Sequence, residues 1–142
     1  MSDILSTGQC LCGNVKYTLT GQPLRMAQCH CKDCQQASGT GHMSLAFFTD
    51  EQVQVTGNLA SYGVTADSGN TNTRHFCPDC GSRLFGTNSA KAGIRGVAIG
   101  CVDNHDWFEP GAIVYCKDRA AWDITSDEVP NFDAMPPPPP AK

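Results

Sequence analysis

Apolar and polar residues alternate in short runs along most of the chain, a pattern that indicates short strands rather than long helices. Val15–Leu19 alternates cleanly, and His42–Phe48 is mostly apolar and aromatic. Glycine and small polar residues separate the runs at short intervals, as they do between strands. Further strands are predicted at Val53–Val55, Asn72–Phe76, Ser82–Phe85, Arg95–Val102 and Ile113–Cys116.

Other patterns are few. Cys31–Ser38 fits one or two turns of helix, and Thr65–Thr73 is polar and rich in glycine and asparagine, which predicts an exposed loop. The chain closes with MPPPPPAK, which predicts an extended polyproline segment, with a disordered terminus as the plainer interpretation. We therefore predict a mainly β fold in one small domain, residues 1–125, followed by an extended proline-rich tail, residues 126–142.

Composition narrows the class of protein. The chain has 142 residues, of which 40% are hydrophobic and 17% charged, as expected for one globular domain. It contains no run of about 18 apolar residues, so we expect no membrane partner. Its first residues, MSDILSTGQC, include no apolar segment typical of a secretory signal, so we expect a cytoplasmic protein. The net charge of −4 and the absence of a basic run disfavour a nucleic-acid partner.

The nine cysteines carry the strongest signal. In a reducing compartment, clustered cysteines indicate metal ligands before disulfides. Redox disulfides within the CxxC pair are the alternative, but no thioredoxin-like βαβ pattern surrounds that pair. The cysteines fall into three sets and two single residues: Cys10 and Cys12; Cys29, Cys31 and Cys34; Cys77 and Cys80; Cys101; Cys116.

The third set has the form of a zinc knuckle. In CPDCG, a two-residue gap lets both sulfurs reach one ion at about 2.3 Å, and the glycine permits the tight turn. A knuckle supplies two ligands and needs two more, for which the CLCG pair is the natural complement. The predicted structural zinc site therefore consists of Cys10, Cys12, Cys77 and Cys80.

The segment CHCKDC then keeps three sulfurs, those of Cys29, Cys31 and Cys34. Structural zinc is closed by four protein ligands, whereas catalytic zinc keeps three and leaves a place for water or substrate. These residues therefore predict an open, catalytic site. A closed site remains the alternative, with a fourth ligand from His30, Cys101 or Cys116.

Three motifs in order, CLCGNVKY, CHCKDCQQASGTGH and RHFCPDCGSRLF, resemble the glutathione-dependent formaldehyde-activating enzyme family, also called the centromere-protein-V family. The resemblance runs from Gln9 to about Val102, and the segment AAWDITSDEVPNFDAMPP resembles the ends of bacterial members. It implies antiparallel sheets folded around a structural zinc, with two zinc ions per chain. Matched residue by residue, it implies the structural ligands Cys10, Cys12, Cys77 and Cys80 and the catalytic ligands Cys29, Cys31 and Cys34.

The resemblance also implies an activity. The namesake enzyme joins formaldehyde to glutathione as S-hydroxymethylglutathione and is classed as a carbon–sulfur lyase. We therefore expect a zinc-dependent carbon–sulfur lyase that forms or cleaves a glutathione–aldehyde adduct. A non-catalytic, zinc-stabilised module that binds a thiol or a protein is the alternative. The oligomeric state is left open.

Side chains near the cysteine motifs supply candidate donors. His30 or Ser38 could stabilise a developing alkoxide. The two carboxylates of glutathione need cationic or amide partners, for which the candidates are Lys32, Arg74 and Gln35. The plainer interpretation of each is a solvated surface group.

The remaining candidates have plainer interpretations. His42 and His75 are predicted to be satisfied or exposed histidines, although both lie near metal segments. Cys101 is predicted to pack in the core as a small hydrophobe. Cys116 is predicted to be structural, although neighbouring basic residues favour a lowered pKa.

Overall fold

Short strands make up most of the regular structure, which confirms the mainly β prediction. The protein is represented by a computed structural model that describes residues 3–66 and 68–136. The strands of the described residues are β1 Ile4–Gln9, β2 Lys16–Thr20, β3 Arg25–Cys29, β4 Met43–Thr49, β5 Val53–Thr56, β6 Ala60–Thr65, β7 Thr71–Phe76, β8 Arg83–Asn88, β9 Ile94–Ala98 and β10 Ala112–Val114. One helix, α1, spans Lys32–Ser38.

Packing within this small domain separates into two compact units, each built from two segments of the chain. The first unit comprises Met1–Arg25 and Leu45–Phe108, and the second comprises Met26–Ser44 and Glu109–Lys142. All four cysteines of the predicted structural site belong to the first unit. The three cysteines of the predicted catalytic site belong to the second.

The first unit consists of antiparallel strands. One sheet has the order β1-β2-β5, and a second ladder runs from β4 through β9, β8 and β7 to β6. Alternation along β2 places Tyr17 and Leu19 in the interior and leaves Lys16 exposed, as a period-two pattern requires. Phe48 and Leu84 are also fully buried, so the aliphatic and aromatic runs of the sequence form the core.

The second unit contains a parallel pair, which the prediction of antiparallel sheets did not include. Strand β10 lies parallel to β3, with Val114 opposite Cys29. Two strands of one direction need a long connection, and β3 and β10 are far apart along the chain. Residues 130–134 then follow the other side of β10, where the Ile113 amide donates to the Pro130 carbonyl and the Phe132 amide donates to the Ile113 carbonyl.

Several element boundaries differ from the predictions. Strands β1, β3 and β6 were not predicted, because they carry small polar or exposed residues in place of an apolar alternation. The strand predicted to reach Val102 ends at Ala98, where Ile99–Cys101 forms a 3-10 turn. The loop predicted at Thr65–Thr73 is shorter than expected, because β6 extends to Thr65, β7 begins at Thr71, and the two strands pair along their whole length.

The remaining predictions concern the short helix, the proline-rich tail and membrane-spanning segments. Helix α1 confirms the short helix predicted in Cys31–Ser38. Most of the polyproline segment lies outside the described residues, and the domain boundary at residue 125 stays a prediction. Within the described residues, no helix is long and apolar enough to cross a bilayer.

Candidate metal centres

Four sulfurs of the first unit converge on one point. The ligand atoms of Cys10, Cys12, Cys77 and Cys80 all lie within 4.8 Å of one another. The sulfurs of Cys10 and Cys12 are 3.6 Å apart, and those of Cys12 and Cys77 are 3.7 Å apart. Four sulfurs at 2.3 Å from a tetrahedral zinc ion are separated by about 3.8 Å. The spacing therefore fits a closed four-sulfur metal site.

Two tight turns place these sulfurs. Directly after β1, the amide of Gly13 donates to the carbonyl of Cys10, at 3.1 Å. Between β7 and β8, the amide of Gly81 donates to the carbonyl of Cys77, at 2.8 Å. Both glycines adopt a φ of +81°, a left-handed conformation that side chains disfavour.

Polar contacts join the two turns. The Asn14 amide donates to the Asp79 carboxylate at 2.9 Å, and the Leu11 amide donates to the Ser82 hydroxyl at 3.0 Å. Hydrogen bonds from the hydroxyl and amide of Ser82 lower the pKa of Cys80 to about 5. Cys80 is thereby prepared as a thiolate, the form in which cysteine binds a metal.

Three sulfurs of the second unit form a separate group. The ligand atoms of Cys29, Cys31 and Cys34 lie within 4.8 Å of one another. Cys29 is the buried last residue of β3, and Cys31 is the N-cap of α1. The Cys31 sulfur accepts a hydrogen bond from the Cys34 amide at 3.3 Å, in the way that a serine or aspartate oxygen caps a helix.

The charge state of these sulfurs is tightly linked. Hydrogen bonds from Cys29 and Cys34 to the Cys31 thiolate lower the pKa of Cys31 to about 2. The same contact with Cys31 raises the pKa of Cys29 to about 12, and contacts with Cys29 and Cys31 raise that of Cys34 further. The three sulfurs therefore compete for their protons, and a bound dication would favour the thiolate form of each.

None of the predicted alternatives joins this group within the described residues. His30 contacts His42 and Asp123 instead. The Cys101 sulfur lies 3.5 Å from the carbonyl of Arg83, and the Cys116 sulfur donates to the carbonyl of Ile113. The donor set of this group, as the structure places it, consists of three sulfurs.

The donors suggested by the sequence have other partners. The Gln35 amide donates to the carbonyls of His30 and Asp118, so it fastens the segment between β3 and α1. The Ser38 hydroxyl lies 3.4 Å from the Gln35 carbonyl. Lys32, in the first turn of α1, remains exposed.

Two further candidates lie in the first unit. Arg74 is a half-buried residue of β7. His75 stacks on Phe85 with ring centroids 4.6 Å apart and bonds the Thr87 hydroxyl at 3.1 Å, as predicted for a satisfied histidine. Cys101 is only half-buried and lies in the 3-10 turn, where the predicted core strand has already ended.

Two features of the second unit were not found from the sequence. His42 and Asp123, which are 81 residues apart, form a hydrogen bond of 2.6 Å between Nδ1 and Oδ2. Tyr115, at the end of β10, is the one non-glycine residue of the described chain with positive φ, at 57°. Burial and the charges of Cys29 and Cys31 raise the pKa of its phenol, and Tyr115 directly follows Val114, the residue of β10 that lies opposite Cys29.

Comparisons with known proteins bear on both units. The sequence model of a family described as "Glutathione-dependent formaldehyde-activating enzyme" matches residues 5–118. No curated protein matches the chain significantly. Among solved structures, a crystal structure of a Rhodobacter sphaeroides protein, a structural genomics target, matches with a TM-score of 0.56 and 19% identity. The match covers 70% of this chain and 90% of the other, and it shows a shared fold.

Proposed function

This chain belongs to the glutathione-dependent formaldehyde-activating enzyme family, and we propose that it is a zinc-dependent carbon–sulfur lyase. In this proposal it forms or cleaves an adduct between glutathione and an aldehyde such as formaldehyde. The observation that carries the proposal is the group of three sulfurs from Cys29, Cys31 and Cys34, which no fourth protein ligand joins among the described residues.

The donor set fits zinc. Thiolate sulfur is a preferred ligand of this ion, and a set of three leaves one place of a tetrahedron for substrate. We assign Cys29, Cys31 and Cys34 to the catalytic zinc, and Cys10, Cys12, Cys77 and Cys80 to the structural zinc, which gives two ions per chain. Zinc held by these three thiolates would supply a Lewis acid and would stabilise a substrate thiol as its thiolate.

The reaction itself balances without a further reactant. In the forward direction, the glutathione thiol adds to the carbonyl carbon of formaldehyde. A carbon–sulfur bond forms, the π bond of the carbonyl breaks, and the thiol proton ends on the new hydroxyl oxygen. The reverse reaction breaks the same carbon–sulfur bond and returns the proton to sulfur.

Tyr115 is the side chain we propose for holding that proton at the oxygen. Its left-handed backbone conformation costs roughly 1–2 kcal/mol for a residue with a side chain. Such strain persists only where surrounding contacts impose it, and it is concentrated at functional sites. Here the Tyr115 amide donates to the Ala134 carbonyl, and its own carbonyl accepts from the Asp118 amide.

Binding of glutathione requires groups that complement its carboxylates. Lys32 suits this role, because it follows Cys31 directly and its ammonium group is exposed. Gln35 is better described as a positioning residue, since its amide already spans two carbonyls. In this proposal Lys32 attracts a carboxylate of glutathione, and Gln35 holds the segment between β3 and α1 in place.

Exchange NMR tests the proposal. With ¹³C-formaldehyde and glutathione at equilibrium, we expect the zinc-loaded protein to accelerate exchange between free formaldehyde and the hydroxymethyl adduct. Cys31→Ser should abolish the acceleration. Cys116→Ser is the matched control, because its sulfur bonds the Ile113 carbonyl and a hydroxyl can replace it. Glutathione binding without accelerated exchange would favour a thiol-binding module instead.

A further inference from the structure

We propose that His30, His42 and Asp123 form an additional site for a first-row divalent cation, separate from both cysteine groups. The three side chains come from the segment after β3, the residue before β4 and the segment after β10. Their ligand atoms lie within 4.8 Å of one another. The proposal goes beyond the lyase reaction, which uses none of these groups.

The strongest observation is the state of His30. Its side chain is only 1% exposed, yet neither ring nitrogen makes a hydrogen bond of good geometry among the described residues. Burying a polar group without a partner costs on the order of 1–3 kcal/mol, so such groups are rare and call for an explanation. The Asp123 carboxylate lies 3.5 Å from Nδ1. A cation between the two would satisfy both.

His42 completes the set. Its Nδ1 bonds the Asp123 carboxylate at 2.6 Å, and its ring centroid lies 4.9 Å from that of His30. The side-chain amide of Gln28 lies 3.4 Å from the other nitrogen of His42 and donates to Ser44 at 3.1 Å. Gln28 thus holds the ring so that Nδ1 faces the carboxylate.

The backbone around the cluster leaves room for the carboxylate. A Cβ atom at Gly41 would collide with the side chain of Asp123. The segment that carries Asp123 is itself fixed, because the Arg119 guanidinium donates to the Asp123 carbonyl at 2.8 Å. Gly41 and Arg119 therefore act together to place the carboxylate against the two imidazoles.

The donor set defines the ligand class. Two imidazoles and one carboxylate bind Fe²⁺, Co²⁺, Ni²⁺ and Zn²⁺, whereas hard cations such as Ca²⁺ prefer oxygen alone. Ligands about 2.1 Å from one ion lie about 3 Å apart or more. The pair His30 and Asp123 already fits this spacing. The distance between His42 Nδ1 and the Asp123 carboxylate would increase slightly as the ion replaces the proton that they share.

Cobalt titration distinguishes this site from the cysteine groups. The zinc-loaded full chain is freed of loosely bound metal by gel filtration and then titrated with Co²⁺. We expect one additional equivalent to bind with visible d–d absorption and without a thiolate-to-metal charge-transfer band. The same equivalent should broaden the imidazole NMR signals of His30 and His42 in the unaltered protein, which requires no variant to fold.

Three substitutions complete the test. His42→Ala and Asp123→Asn should each weaken binding of the additional Co²⁺ at least tenfold, and Gly41→Ala should weaken it by displacing the carboxylate. His75→Ala, which removes a histidine satisfied by Thr87, should leave it unchanged. Absence of an additional equivalent, a thiolate band on binding, or broadening that spares His30 and His42 would each overturn the proposal.

Discussion

Gly13 and Gly81 share one backbone conformation, a φ of +81°, although they lie in distant parts of the sequence. Each directly follows the second cysteine of a pair, and each donates its amide to the carbonyl of the first. The pairs differ in spacing, CxC in one and CxxC in the other. The two turns therefore differ in length by one residue and share the conformation of the glycine and its hydrogen bond to the first cysteine.

Replacing Gly81 with alanine should lower the free energy of unfolding by roughly 1–2 kcal/mol, the cost of a left-handed conformation in an L-residue. No atom lies within 4 Å of the added Cβ, so the cost comes from the backbone rather than a collision. Denaturant unfolding of the zinc-loaded protein measures it. Gly100→Ala is the control, because Gly100 also has open space around it but no positive φ. If the two variants were equally stable, the left-handed conformation of Gly81 would not be the source of the cost.

Cysteine substitutions should affect the two groups differently. Cys12→Ser and Cys80→Ser should impair folding, because the four-sulfur group joins segments 65 residues apart. Cys31→Ser should leave a folded protein that lacks one metal ion, because its group lies within six residues. Thermal unfolding and circular dichroism compare the three variants. A similar loss of stability in all of them would refute the division into structural and catalytic groups.

Metal release should occur in two steps. After gel filtration we expect two zinc ions per chain, and a mild chelator should remove the ion of the three-cysteine group first. The four-cysteine group should release its ion only as the protein unfolds, because that site couples metal binding to folding. Elemental analysis during the chelator titration, followed alongside circular dichroism, measures both steps. Loss of both ions together, or a single ion per chain, would be inconsistent with this scheme.

A thiol substrate should change the absorption of cobalt bound at the three-cysteine group. Replacing the labile zinc with cobalt and adding glutathione should increase the thiolate-to-metal bands from the level of three sulfurs toward four. S-methylglutathione should change them much less, because a thioether is a poor ligand beside thiolates. A spectrum typical of four sulfurs before any addition, and unchanged by glutathione, would exclude an open position. Bleaching would instead indicate that glutathione extracts the metal.

Tyr115→Phe should slow adduct exchange roughly tenfold or more. A positioned proton donor usually contributes on the order of 100-fold to a rate, so a loss of this size is expected if Tyr115 has that role. Thermal stability should change little, because the ring and its backbone remain. The rate of ¹³C exchange under saturating glutathione measures the effect. A rate equal to that of the unaltered protein would remove Tyr115 from the mechanism, whereas a matching loss of thermal stability would indicate a structural role.

The sequence predicted the grouping of the sulfurs because short spacing restricts their geometry. Cys29, Cys31 and Cys34 lie too close along the chain to separate far, and the CPDCG turn has few alternatives. Strands such as β2 and β4 were predicted for a related reason, since their alternation or apolar run reflects one buried face.

Contacts between distant segments could not be predicted in this way. Asp123 meets His42 only because the segment after β10 returns beside the segment between α1 and β4, and nothing in the residues around Asp123 signals that approach. His30 illustrates the same limit. It contacts His42 and Asp123, residues that only the fold brings beside it.

The separation of 65 residues between Cys12 and Cys77 also has a consequence during synthesis of the chain. At about 5–20 residues per second, the ribosome delivers the second pair roughly 3–13 s after the first. Cys10 and Cys12 must therefore wait in the nascent chain as a partial site, while CHCKDC emerges complete within about a second. Under the proposed assignment, the group expected to release its ion first in the finished protein is the first to have all its ligands during synthesis.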